Sequence, residues 1–427
     1  MTVMAEGKDS VIVRVEYLVN QMPSFTPSRP IIDKVDHHLR QVNEKDFEPQ
    51  IVCIGPIHRG KDHVKGMELH KLRYLRHLLQ RRDRLSIEKC VLELRNLEEK
   101  ARLCYPTSIN LDEDEFVLML LLDGCFIIEL IRNYWFDDLR ENNDHIFQFD
   151  QILSQIRHDL MLLENQLPFF VLNQLFNMTK MEDPEDSIYH LLLFFVKDIF
   201  PWSDVSKPDP RSDILLNADH LLGLVYQYCF SFSSKYFIEN NGGKQNNFVQ
   251  TFSASELKQS GIRLKGSKGI TLWNITFMDG VVKLPPLNVS DKTGSILRNL
   301  IAYEQCFPND HPKYVTDFAF LMHCLIRSTK DVEILRRRGI ISNFLGSDDM
   351  IFLMFNGLGK NVVISSDFSY SNVFESVNEH NRRRRWMGKM KRKYFNAPWA
   401  VISVIGAAML LLLTFIQTVV CVLSYTK

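Results

Sequence analysis

The residues best suited to chemistry in this 427-residue chain form a polar island in an apolar stretch, Glu164-Asn165-Gln166 within DLMLLENQLPFF (159–170). A carboxylate and two amides beside Pro168 could build an acid–base site or a binding pocket. They could equally cap a broken helix and satisfy the backbone groups it frees. With no nucleophile or base beside them in sequence, the structural role is the expected one, and Asp123, in the DGC of another apolar run, invites the same judgement. His37, His38, His58, His63, His70 and His77, together with Cys53, offer ligand types that zinc prefers, but their spacing follows no structural-zinc pattern. No metal or other cofactor is expected.

Two further motifs fail on spacing. In Gly261 to Lys268 a phosphate loop would need its lysine directly after the second glycine, yet Ser267 intervenes and no apolar strand precedes. GLGK at 357–360 fails likewise. Ser255-Glu-Leu-Lys258 has the SxxK spacing of a serine acyl-enzyme without an SDN or KTG partner, so Ser255 reads as a helix N-cap.

The elements that must position these residues are mostly helices. Prolines at 23, 27, 30, 49 and 56 keep residues 20–66 irregular, with a short helix at 31–42 and CIGPIHRG (53–60) as an extended piece entering a turn. Leu72, Leu75, Leu78 and Leu79, then Ile87, Val91, Leu94, Leu97 and Ala101, keep helical spacing, which predicts two helices breaking near 83–86. Acids at 112–115 open a buried helix over FVLMLLLDGCFIIELI. Pro168 should break a helix after Gln166 or Leu167. ENNGGKQNNFVQ near 238–250 reads as a loop and a boundary. The alternating stretch GITLWNITFMDGVVKLPPLNVS predicts a small β-hairpin turning at Asp279-Gly280, and helices resume from 295 to 360. The predicted fold is mainly α: a variable segment 1–30, a helical body in two parts (31–240 and 251–375, the second with the β element), a basic segment 376–397 and a transmembrane helix 398–423.

Charge divides the chain. Equal totals of 51 basic and 51 acidic side chains hide nine basic residues and no acid in 382–427, leaving 42 against 51 in the rest. An acidic body argues against nucleic-acid binding. Trp399 to Leu423 carries no charge over 25 residues, where a span needs about 20. Arg382, Arg383, Arg384, Arg385, Lys389, Lys391, Arg392 and Lys393 stand just before it, and Lys427 alone after it, which predicts a cytosolic body and contact with anionic lipid. The N-terminal residues form no signal peptide, so the expected arrangement is tail-anchored. The seven cysteines of the body are expected as reduced core thiols, and the sequons at Asn177, Asn274 and Asn288 are then idle. Ala400, Ser403 and Ala407 lie near one helical face, a weak pattern for self-association.

Several of these segments together resemble the plant family known as domain of unknown function 247: CIGPIHRG, Met67-Glu68 with Lys71, ARLCY (101–105), DEFVLMLLLDGCFIIEL (114–130), DLMLLENQLPFF, ASELKQSGIRLK, NLIAYEQC (299–306), 330–346 and YFNAPWAVISVIGAAMLLLL. The likeness covers roughly residues 35 to 420. Where the family usually reads SIGPYHHG, this chain has Cys53, Ile57 and Arg59, and Asp36 replaces a usual proline. The resemblance implies a helical body, one C-terminal span and no established catalytic residues. Some grass relatives resemble self-incompatibility determinants, which implies a non-catalytic recognition or interaction module with protein partners. The rival is an enzyme with a site near Glu164 or His58, which would need convergent polar groups around a cleft.

Overall fold

A helix apolar on every face has to be surrounded, and Glu113–Trp135 is: in the computed structural model of the chain nearly every side chain from Phe116 to Asn133 is buried. The structure describes residues 11, 14–17, 30–81, 86–106, 109–201, 218–230, 251–267, 275–306, 311–365, 367–394 and 398–425. In chain order the first half contains α1 (His37–Arg40), α2 (Gly66–Gln80), α3 (Ile87–Arg102), α4 (Glu113–Trp135) and α5 (His145–Gln148). It continues with α6 (Asp150–Asp159), α7 (Phe169–Met178), α8 (Ile188–Val196) and α9 (Leu221–Phe230). The second half runs α10 (Ala254–Gln259), β1 (Arg263–Gly266), β2 (Thr276–Met278), β3 (Val281–Leu284), β4 (Leu287–Val289) and α11 (Thr293–Gln305). Then come α12 (Tyr314–Leu325), α13 (Thr329–Arg337), β5 (Ile341–Asn343), α14 (Asp348–Leu358), α15 (Ser371–Tyr394) and α16 (Pro398–Tyr425).

Helix α4 is the axis, with α2, α3, α7 and α8 packed round it. Asp112 caps it by accepting from the Glu115 N–H at 2.8 Å, and three acids in its first turn oppose the positive end of the helix dipole. Its three charges deeper down each meet an opposite charge: Asp123 meets Lys71 at 2.6 Å, Glu129 meets Arg81, and Arg132 donates twice to Asp186 at 2.9 Å. Pairing is what lets ionised groups sit in such a core.

Several sequence expectations shift by a few residues, each for a local reason. Helices α2 and α3 break where expected, but α2 buries Met67, Lys71, Tyr74 and Leu78 while Leu72 is 49% exposed, and Ile87 on α3 is likewise exposed. A partner carboxylate makes Lys71 buriable, so the inward stripe includes a lysine. The expected helix at 31–42 shrinks to α1, because the Ile32 and Val35 N–H groups are taken by Cys104 O and the Glu164 carboxylate. Helix α6 ends at Asp159, well before the proline, and 160–168 is irregular. The N-cap of α10 is Ser253, in a full capping box with Glu256, rather than Ser255.

The β element is larger than a hairpin. β2 and β3 are antiparallel about Asp279-Gly280, both in the left-handed region (φ 50° and 70°) that a two-residue turn of this kind needs. β1 joins β3 in parallel to give the order β1-β3-β2, and β4 pairs in parallel with β5. The first pairing sets Arg263 beside Val281 and the second, of longer range, sets Leu287 beside Ile341. One buried apolar cluster runs from Ile32 to Val377; the expected boundary at 238–250 lies outside the described residues. Helix α15 starts in the body, burying Phe374, Val377 and Asn381, and carries the basic run outward. Within α16, Ile405–Val422 has a mean hydropathy of 2.3 with none of it buried, so it is long and apolar enough to cross a membrane. The architecture is therefore mainly helical, with small β elements and one C-terminal candidate span.

Candidate functional site

Residues 50–55 join no helix or sheet and are buried from Val52 to Gly55, so their backbone groups need other partners. Side chains supply them. One oxygen of Asp159 accepts from the N–H groups of Gln50, Ile51 and Val52 at 3.0, 2.7 and 3.0 Å. Asn165 accepts from Ile54 N–H at 2.7 Å and donates to the carbonyls of Val52 and Asp159 at 3.0 and 2.9 Å. Asp123 accepts from Gly55 N–H at 2.8 Å, and Lys71 donates to Cys53 O at 2.5 Å. Four side chains, Lys71 of α2, Asp123 of α4, Asp159 at the end of α6 and Asn165 in the irregular stretch after it, thus do the work of a neighbouring strand.

Gln166 closes the same arrangement from the other side. It donates to the carbonyls of Leu160 and Leu162 at 2.7 and 2.8 Å and accepts from Leu222 N–H at 3.0 Å, tying the broken stretch to α9. Its own carbonyl accepts from the Tyr105 hydroxyl at 2.9 Å. Gly55 completes the contact: its φ of +74° suits glycine, and a Cβ there would come within 2.6 Å of Gln166 O. Asparagine and glutamine at 165 and 166 therefore consume the carbonyls that would have continued α6, which is why that helix stops before Pro168.

Glu164 faces the rim. One of its oxygens accepts from Val35 N–H at 2.7 Å and from the Arg40 guanidinium, while the other lies 3.0 Å from His58 Nε2. Burial raises its pKa, but the His58, Arg40 and Val35 donors outweigh burial and hold it below the ordinary carboxylate value. Burial likewise lowers Lys71, yet Asp123 and Glu68 outweigh it and hold the ammonium above its ordinary value. Cys53, the nearest thiol, is pushed up to about 12 by burial and by Asp123, so it stays protonated at neutral pH. The arrangement can hold a buried chain segment and a carboxylate clamped between the Arg40 guanidinium and the His58 imidazole. It presents no activated nucleophile among the described residues.

The remaining candidate residues are scattered. His63 lies 2.9 Å from Pro49 O, His77 2.6 Å from Glu141, and His37 2.9 Å from Gln41. Among the described residues no group of three or more His, Cys, Asp and Glu side chains is placed to hold a metal. Arg382, Arg383 and Arg384 are exposed on α15. Arg383 pairs with Glu379 at 2.5 Å, and the Arg384 guanidinium lies over Gly261 and donates to Ser260 O, so Arg384 is engaged with the body rather than free for lipid. The side chains of Arg385, Lys389, Lys391, Arg392 and Lys393 lie outside the described residues.

Sequence reasoning found Glu164, Asn165, Gln166 and Asp123 but did not connect them to CIGPIHRG. It gave Lys71 no role, and it missed Asp159 and Arg40. Lys71 had a readable signal, since it stands at helical spacing between Met67 and Tyr74 in an inward stripe. Asp159 and Arg40 have none, because their partners lie 107 and 124 residues away along the chain.

Comparison with known proteins agrees with this pattern. A family model described as a plant protein of unknown function matches residues 32–413. One UPF0481 protein of Arabidopsis thaliana is 30% identical over 419 residues, covering 92% of this chain and 86% of the relative. A second from the same plant is 24% identical over 466 residues, covering 87% and 86%. No solved structure matches. The matched region holds the cradle about residues 50–55, both small sheets and the basic helix, and the chain belongs to the plant family called domain of unknown function 247.

Proposed function

We propose that this protein is a membrane-held interaction module. In this reading α16 crosses a membrane, the body lies on the cytosolic side with the basic run near an anionic leaflet, and the body recruits protein partners without turning over a substrate. The observation that carries the non-catalytic part is the use made of the polar residues most suggestive of chemistry. Asp123, Asp159, Asn165 and Gln166 are all committed to backbone groups, and both oxygens of Glu164 are engaged. The membrane part draws on the length of α16 and on eight basic residues before it against one after. At about 1.5 Å per residue the uncharged stretch suits a thicker bilayer, which favours the plasma membrane over the endoplasmic reticulum. Recognition or signalling is the class of role, as the resemblance of some grass relatives to self-incompatibility determinants suggests, and self-association through Ala400, Ser403 and Ala407 is a secondary element.

Proximity labelling in the native tissue tests the reading, comparing the full chain with one whose α16 is replaced by an unrelated span. A partner set that follows the body supports recruitment by it. A nucleotide or metal that copurifies with the full chain, or a turnover lost in His58→Gln at unchanged stability, would replace it with the enzyme reading. Sugar on Asn177, Asn274 or Asn288 would reverse the orientation.

A further inference from the structure

The outer face of the three-stranded sheet carries three basic side chains. Arg263 and Lys265 on β1 alternate with the buried Leu264, and Lys283 on β3 alternates with the buried Val282 and Leu284, so all three point away from the core. The parallel register sets Lys265 directly beside Lys283, and like charges in adjacent cross-strand positions destabilise a sheet. Among the described residues none of these three forms an ion pair. An edge strand often carries lysine to block unwanted pairing, which accounts for β1. It does not account for Lys283 on the central strand. Nor does it explain Arg338, exposed on the loop whose carbonyl accepts from Gly266 N–H at 3.1 Å.

The hairpin end of this sheet adjoins the helix that leads to the membrane candidate, and that helix packs on the opposite, buried face through Phe374 and Val377 near Val282 and Leu284. Arg263 N–H donates to Gly280 O at 2.9 Å, the ring of His380 on α15 would lie 3.4 Å from a Cβ at Gly280, and Arg384 donates to Ser260 O. The start of the basic run is therefore latched to the hairpin end of the sheet. At that end Met278 is 62% exposed beside the turn. A single exposed apolar side chain next to a cluster of cations is the composition of a surface that rests on anionic lipid headgroups.

We propose that the outer face of this sheet, through Arg263, Lys265, Lys283 and Arg338 with Met278 at its rim, docks on the anionic surface of the membrane that α16 crosses. The proposal rests on the membrane-held reading above. It gives a body of net negative charge one positive face, so the leaflet orients the body and leaves its acidic remainder for partners.

Hydrogen exchange on the full chain in lipid nanodiscs tests it, comparing discs of phosphatidylcholine alone with discs containing phosphatidylserine. Each basic side chain near an anionic leaflet contributes about fivefold in affinity, so amides of 263–267 and 281–284 should exchange about fivefold or more slowly in the anionic discs. The protection should vanish at high salt and in Arg263→Glu/Lys265→Glu, with Arg263→Gln/Lys265→Gln intermediate. If the charge-reversed chain does not fold, the neutral pair carries the test alone. Equal exchange in both kinds of disc overturns the docking face and leaves it to an acidic protein. Loss of the chain from vesicles on alkaline carbonate extraction overturns the anchoring itself, which is a separate outcome.

Discussion

Lys71 in the cradle and Lys265 on the sheet are the same residue type in opposite circumstances. Lys71 is fully buried and donates to Asp123, Glu68 and Cys53 O within 2.5 to 2.7 Å. Lys265 is exposed and stands beside another lysine. In the cradle each charge or amide replaces a hydrogen bond that the backbone of 50–55 would otherwise lack, so its removal strands a buried partner. On the sheet the charges stand in water, where their effect on folding is small and their effect on association is large. Polar residues in this protein thus divide between those that satisfy buried groups and those that stand in solvent, and depth decides which.

Lys71 carries the largest expected effect. Lys71→Met leaves Asp123 buried and uncompensated, with an expected loss of about 3–5 kcal/mol in urea unfolding of the full chain in detergent. Lys71→Met combined with Asp123→Leu should lose less than the sum of the single changes; additive losses would show that the two do not act as a pair. Asn165→Leu should cost about 1–3 kcal/mol for the partners it leaves unsatisfied, Ile54 N–H and Val52 O, read in the same titration. A loss under 1 kcal/mol would mean that water reaches the cradle.

A pH experiment extends the test to His220. This residue is fully buried, accepts from Gly223 N–H at 3.1 Å and packs against Tyr303, and burial pushes its imidazole down from 6.5 to about 3. The unfolded chain then binds a proton that the folded one refuses, so stability should fall as pH drops below about 6.5, by up to about 1.4 kcal/mol per unit. His220→Asn keeps an acceptor without a titrating ring, and the difference between the two chains between pH 6.5 and 5 isolates the effect. Glu164 acts in the more acidic window: its lowered value means stability present above 4.5 and lost as pH falls further. The smallest effect belongs to the sheet. Lys265→Gln should change stability by no more than about 0.5 kcal/mol, and a loss above 1 kcal/mol would make Lys265 a structural residue like Lys71.

Elements whose signal is local could be read from the residues alone. Helix α4 was legible because an unbroken apolar run follows an acidic cap, α16 because no charge interrupts 25 residues, and the β2–β3 hairpin because Asp279-Gly280 suits its turn. The order of short motifs was enough to place the chain in its family. Tertiary structure alone decided what those motifs are for. Asp159 and Val52, Asn165 and Ile54, Glu164 and Arg40 each meet across more than a hundred residues. The parallel pairs β1–β3 and β4–β5 also depend on segments brought together by the fold. Hydrophobic periodicity reports which face of an element turns inward, but a hydrogen bond between distant segments leaves no period to read. Lys71 and Lys265 look alike in the sequence because burial is a property of the whole packed chain, and only burial makes one a strut and the other a surface charge.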